Sequence, residues 1–581
     1  MNKKILCSIL MVCIAVSLMF AGCVTQTQDP VTGNAQGKVS EKTPAFDPWT
    51  ASVTEKKVTV YMGSPDESDN MSVYFINGGD IPYVSLEEFM GIFEDTYNLT
   101  FRADGYKASY VRNDGYSADF DFEKNTVHFI DYNMFIQPPG GSLIDAAGMK
   151  DEVKPLFRKD DARSYERYGS EITMPLGEYG IQFLRKDGKY LIPLQTFSDI
   201  FMAGYGVCCL YNGEAIIFTG GQLTGGLKEI YYSAPKLERS NELAEFDYNE
   251  LCFGLDYNYG LKEVHKITTF DDIFKDCGYD QLLKSTNQTL ADAALYEFIN
   301  SHLDDQHSGF LDCSFRSDKE NFDEITSEFM EGISSRTYSQ KAKEFMKARN
   351  KYYPKGIPHY EEVGNTAYIT FDAFADEGCE DYYSAPKADE LDNTMRLMQY
   401  AYDRITREGS PIKNVVMDLS LNGGGTAYTA VYTIGLFLGE GQISVTDQLT
   451  GALSSAHYML DTNRDHVFDE KDTLAGKGYK FYCIESEASF SCGNLVPNVF
   501  KNSNMVTLIG QTSGGGSCVV HHLSTAAGSQ IQISGNTRIS FIKNGAFYDV
   551  DRGAAPDVYI KDPAFIFDRK ALTDYINNEI K

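Results

Sequence analysis

The chain has 581 residues, enough for more than one hydrophobic core, and carries 82 Asp and Glu against 52 Lys and Arg, a formal net charge of −30. That balance excludes a nucleic-acid binder, which depends on Lys and Arg, and suits a solvated protein outside the cytoplasm. Of twelve Cys, three lie in the first 23 residues; the other nine are scattered without a metal-like CxxC pair, and read as mostly buried thiols, with disulfides still open in an exported protein.

The N-terminus opens with the basic "MNKK" and an apolar run, "ILCSILMVCIAVSLMF", of signal-peptide length, ending in "AGC". Small residues before a cysteine look like a bacterial lipoprotein signal. Residues 1–23 are then a signal peptide and Cys23 becomes the lipidated N-terminus, anchoring the chain to the bacterial membrane on its extracytoplasmic side. A plain signal peptide or membrane anchor with an incidental cysteine is the other reading. Residues 24–48, polar and rich in Thr and Gln, have the composition of a flexible linker.

Within 49–230 two segments share one grammar. Residues 73–93, "VYFINGGDIPYVSLEEFMGIF", and 181–201, "IQFLRKDGKYLIPLQTFSDIF", each predict a strand, a Gly turn, a second short strand and a short amphipathic helix. Strands follow each, the second pair closed by Asn212–Gly213. This grammar resembles the copper amine oxidase N-terminal-like repeat. The resemblance implies a small α+β binding or spacing module, but no His cluster accompanies it, and no copper is assigned.

A Gly-containing junction leads into 238–363, largely helical in pattern. In "LADAALYEFINSHL", Leu295, Phe298, Ile299 and Leu303 fall at helical spacing. From 364 to 581 strands and helices alternate. Strands are predicted at 366–374, 414–421, 480–486 and 505–510, with helices near 392–409 and 427–439, a layered α/β pattern.

Two turns in this region have chemical potential. "NVVMDLSLNGGGT" runs a strand into Asn422-Gly423-Gly424-Gly425, where backbone N–H groups can approach a ligand. Such a turn is usually only a turn, and without Gly-Lys-Ser/Thr it is not a P-loop. "ESEASFSCGN", 485–494, follows a strand and opens a helix, so its serines read as N-caps or as a hydroxyl at a helix N-terminus, where an oxyanion is favoured.

In order, "YITFDAF", "DLSLNGGG", "SFSCGN", "IGQTSGG" and "GAAPD" resemble the motifs of the tail-specific, or C-terminal processing, serine peptidases, a group that includes the tricorn-core and interphotoreceptor retinoid-binding proteins. The resemblance spans about 247–581. It implies a crotonase-like layered α/β peptidase domain acting on peptides or proteins without a required cofactor. It places Ser491 on the nucleophile, Gly424 (with Gly423 less certain) on the oxyanion-hole glycine and the Cys492 N–H as second donor. Asn494 stands where the family has Glu.

The base is read from the same resemblance. In the lysine branch a Lys follows the second strand, but here Gly515 holds that place. The tricorn-like branch uses a His upstream of the first strand, and "DDQHSGF" places His307 there. A carboxylate before the closing motif then orients the imidazole; Asp551 is the choice, Asp549 the close second. His521 and His522 are rival bases, read as part of a strand. The stretch between the helical part and the first core strand is too short for a PDZ domain. A catalytically inactive binding protein on the same fold is the rival function, favoured by the missing lysine and opposed by the His307 motif.

A last motif lies outside that resemblance. "DTNRDHVFDEKD" sets Asp461, Asn463, Asp465, Asp469 and Asp472 at positions one, three, five, nine and twelve of a loop, with the Val467 carbonyl at seven. This is EF-hand-like spacing for a structural Ca²⁺. His466 stands at the Gly position and Asp472 replaces the longer Glu; a solvated acidic loop is the other reading.

Overall fold

The computed structural model describes residues 46–91, 98–137, 141–303, 305–334 and 337–580. The leader, Cys23 and most of the linker lie outside the described residues. No helix among the described residues is long and apolar enough to cross a membrane.

The two similar N-terminal segments meet in one seven-stranded sheet. Strand Tyr83–Ser85 pairs antiparallel with Lys189–Pro193, and each runs into its helix, Leu86–Met90 and Leu194–Phe201. The helices touch through Phe89 and Phe197, whose ring centroids are 4.4 Å apart. Strands Cys208–Tyr211 and Ala215–Thr219 form the hairpin expected at Asn212–Gly213, with Gly213 at φ +90°. A five-stranded antiparallel sheet, Leu99–Asp104 to Ile172–Met174, lies beside it.

The C-terminal half is mixed α/β. Its six-stranded sheet runs Tyr360–Val363, Thr366–Thr370, Asn414–Asp418, Lys480–Glu485, Val506–Gly510 and Val558–Tyr559. All neighbours after the first pair are parallel. The central strands read "NVVMD" and "KFYCIE" because helices cover both faces, and a strand buried on both sides has no polar face to alternate with. Thr394–Thr406, Ala427–Leu438 and Cys492–Ser503 pack on one face; Pro563–Phe567 and Arg569–Asn578 pack on the other. Asn393 caps the first of these helices, accepting from Arg396 N–H at 3.1 Å.

A second sheet joins the halves. Gly309–Asp312, Gln530–Ser540, Gly441–Asp447 and Leu453–Leu460 pair in that order, and the N-terminal region adds Phe157–Lys159 and Tyr165–Arg167 to Leu453–Leu460. One apolar cluster runs from Val58 and Phe89 through helix Asn241–Asn258 to Leu523 and Ile533. The N-terminal region therefore shares its core with the strands behind the site. The nine Cys among the described residues are free thiols, seven of them buried.

Candidate active site

Strand Lys480–Glu485 ends in a loop that turns sharply into helix Cys492–Ser503. Three serines occupy the turn, and burial separates them. Ser486 and Ser489 are fully buried, donating to the carbonyls of Ser420 and Leu419, the latter at 2.7 Å; they fasten this loop to the glycine turn. Ser491 alone is partly exposed. It adopts φ +55°, ψ −121°, outside the left-handed well that L-residues tolerate. Its N–H donates to Gly515 O at 2.9 Å, and its carbonyl accepts from Asn494 and Leu495 N–H. The backbone is held from both sides, and the side chain stands at the helix N-terminus.

The glycines are where contact demands them. A Cβ on Gly424, at φ +106°, would lie 2.5 Å from Ser491 Cβ and 3.0 Å from its Oγ. One on Gly515 would lie 2.2 Å from Asp551 O. Asn422, fully buried, ties the turn together: its Nδ2 donates to Phe371 O at 3.0 Å, and its carbonyl accepts from Phe490 N–H. Its Oδ1 accepts the Gly424 N–H at 2.9 Å, so that hydrogen is engaged within its own loop. Among the described residues the N–H groups of Gly425 and Cys492 have no acceptor. For Cys492 this is the usual condition of a first helical residue. The Cys492 thiol donates to Gly425 O at 3.1 Å, and burial pushes it up to about 12, leaving it neutral.

His307 lies after the 288–303 helical segment, just before strand Gly309–Asp312. Its ring packs on Phe490, the residue before Ser491, with centroids 4.7 Å apart. Gln532 Nε2 donates to its carbonyl at 2.7 Å, and its N–H reaches Asp305 Oδ1 at 3.1 Å. Its Nδ1 is buried without a hydrogen-bond partner. Burial holds the imidazole below its usual range, opposed by the negative charges of Asp305 and Asp551. The sequence reading missed Asp305, although it stands two residues away in the quoted motif. It accepts from Tyr259, Ser308 and Ser534, so its charge is fixed in place.

Asp551 accepts from Ser517 N–H at 2.6 Å and Oγ at 3.0 Å and pairs with Arg538. Asp549 pairs with the same guanidinium at 2.7 Å. Both candidate carboxylates thus share one cation, and only Asp551 sets its backbone against the Gly515 turn. Asn494 bonds Val550 O at 2.9 Å and Ser513 Oγ at 2.8 Å, linking the serine helix to the Asp551 segment. Of the rival histidines, His522 bonds Gly206 O at 2.6 Å, whereas His521 is enclosed beside Gly535 with both ring nitrogens lacking a hydrogen-bond partner, and burial pushes it down to about 3.

Residues 365–560 match the family model described as Peptidase family S41. No curated protein matches the chain. Among solved structures, the photosystem II D1 C-terminal processing protease is 17% identical over 37% of this chain and 47% of its own, with a TM-score of 0.27. A peptidase from Parabacteroides merdae is 13% identical over 46% of this chain and 85% of its own, TM-score 0.31. The tricorn protease is 13% identical over 88% of this chain and 48% of its own, TM-score 0.30. The chain thus spans about half the length of the first of these. The matched stretch is about a third of the chain and holds the parallel sheet, the glycine turn, Ser491 and Asp551.

Proposed function

We propose that this protein is an extracytoplasmic endopeptidase, tethered to the bacterial membrane by a lipid on Cys23, that works through Ser491, His307 and Asp551. The observation that carries the reading is Ser491 itself: a partly exposed residue on a strained backbone at a helix N-terminus, with Gly424 against it and the His307 ring packed at a tilt on the preceding Phe490. Ser491 Oγ attacks the peptide carbonyl while His307 takes its proton, then returns it to the leaving amine. Water, activated by the same imidazole, releases the acyl group. Asp551, anchored by Ser517 and Arg538, stabilises the imidazolium through its charge. The tetrahedral oxyanion is held by the Cys492 N–H and by the glycine turn. There the Gly424 N–H is taken by Asn422, which leaves Gly425 as the donor.

The test is labelling of the full chain with a fluorophosphonate probe. Covalent label that disappears in Ser491→Ala and falls in His307→Ala supports the enzyme. A correctly folded chain that takes no label is the inactive scaffold instead.

A further inference from the structure

The acidic loop at 461–472 is not used by the peptidase reading. It leaves strand Leu453–Leu460 and leads toward strand Lys480–Glu485, whose end carries Ser491. Asp461 is fully buried, and its Oδ1 has no hydrogen-bond partner. The other oxygen of that carboxylate accepts the His466 N–H from across the loop at 2.9 Å, so the bare oxygen belongs to a carboxylate turned toward the loop interior. A lone carboxylate oxygen buried without a donor is costly unless something positive meets it. Tyr383 lies beside it, but its hydroxyl donates to Pro155 O at 3.0 Å.

The rest of the loop is closed by side-chain bonds to its own backbone. Asn463 Oδ1 accepts from Asp465 N–H, and Asp465 Oδ1 from Val467 N–H, both at 2.8 Å. Asp472 folds back onto the N–H groups of Thr462, Asn463 and Asp469. His466 takes φ +63° at the position where the spacing calls for Gly, and its ring stacks on Tyr383 with centroids 4.1 Å apart. Among the described residues no three His, Cys, Asp or Glu side chains form a ready-made metal cage. The donor set here is mixed, with an amide oxygen and a backbone carbonyl among the carboxylates, as a hard divalent cation prefers.

We propose that residues 461–472 bind one Ca²⁺, ligated by Asp461 Oδ1, Asn463, Asp465, the Val467 carbonyl and Asp472, with Asp469 acting through water. The cation would clamp the seam between the halves. Asp461 N–H bonds Leu156 O at 3.0 Å, Arg158 covers the Phe468 ring at 4.9 Å, and Arg464 pairs with Asp403 at 2.8 Å. Thr473, next to the loop, donates to Leu436 O at 2.8 Å. The loop therefore touches the N-terminal segment 155–158 and the region of two helices packed under the serine sheet.

The test uses the full chain freed of metal with chelator, then titrated calorimetrically with CaCl₂ alone. One site is expected, with Tm rising by roughly 2–5 °C at about 1 mM Ca²⁺ and slower hydrogen exchange at 155–167. Asp465 is exposed, so Asp465→Asn should fold with an unchanged Tm in chelator, yet bind at least about tenfold more weakly. Asp461→Asn should do the same. Absence of heat together with identical melting in chelator and Ca²⁺ overturns the proposal. Binding that survives both substitutions overturns it too, because the site would lie elsewhere.

Discussion

Replacing Ser491 by Gly and by Ala separates chemistry from strain. At φ +55°, ψ −121° the serine sits where an L-residue pays about 1–3 kcal/mol. Ser491→Ala keeps that cost, because Ala has the same Cβ. Ser491→Gly removes it, but loosens the unfolded chain by about 0.5–1 kcal/mol. No hydrogen bond to Ser491 Oγ is present among the described residues, and the bonds of its N–H and carbonyl survive in both variants. The Gly variant should therefore be the more stable by about 1 kcal/mol, a Tm difference of about 1–3 °C in a chain this large. Both should lack peptidase activity, with no probe label. The assay is paired calorimetry of the two variants plus turnover on an unstructured protein substrate. A Gly variant no more stable than the Ala variant would refute the strain argument, and turnover by either would refute the nucleophile.

Gly424→Ala puts a Cβ 2.5 Å from Ser491 Cβ at a backbone angle of φ +106°. It should cost at least about a hundredfold in kcat/KM, the scale of an ångström's misplacement, and the measurement is steady-state kinetics with circular dichroism as the folding control. The acid limb of the pH profile of kcat/KM should have its midpoint below 6.5, because burial lowers His307 and the neutral form is the base. Asp551→Asn should move that midpoint further down, since the charge it removes favours the imidazolium; an upward shift would exclude Asp551 from the site. A depressed folded-state value also means that the unfolded chain binds more protons, so His307 withdraws stability as pH falls below about 6.5.

The parallel core was legible because its strands must be apolar on both faces: "NVVMD", "KFYCI" and "VTLIG" stand out from flanking turns, and the helix Ala427–Leu438 between the first two is buried on every side. The predicted strand at 366–374 ends at Thr370 because Phe374 leaves the ladder to bridge the glycine turn, its N–H donating to Gly424 O at 2.7 Å. Of the second sheet only the strand holding His521 and His522, Cys518–Ser524, was legible. Gln530–Ser540 reads "QIQISGNTRIS", polar enough to pass for a loop, and is buried only because Cys518–Ser524, Gly309–Asp312 and Gly441–Asp447 surround it. Nothing local in Phe157–Lys159 or Tyr165–Arg167 announces that their partner lies some three hundred residues away.

The same asymmetry holds within the site. Ser491 and the glycines are local features, and their motifs can be found because a sharp turn admits few residues. Which serine is free is not local: Ser486 and Ser489 are removed from contention only by the carbonyls of Ser420 and Leu419, in the turn that follows strand Asn414–Asp418. What distinguishes Asp549 from Asp551 is likewise not local: Arg538 holds both, and Ser517 bonds Asp551 twice. Arg538 is carried by Gln530–Ser540, the strand that also bonds the His307 carbonyl through Gln532 and pairs with strands packed on the N-terminal module. His307 and Asp551 are therefore registered by one strand, and Ser491 by another sheet. Their alignment depends on how the two sheets meet, which ties the N-terminal region to the geometry of the candidate site.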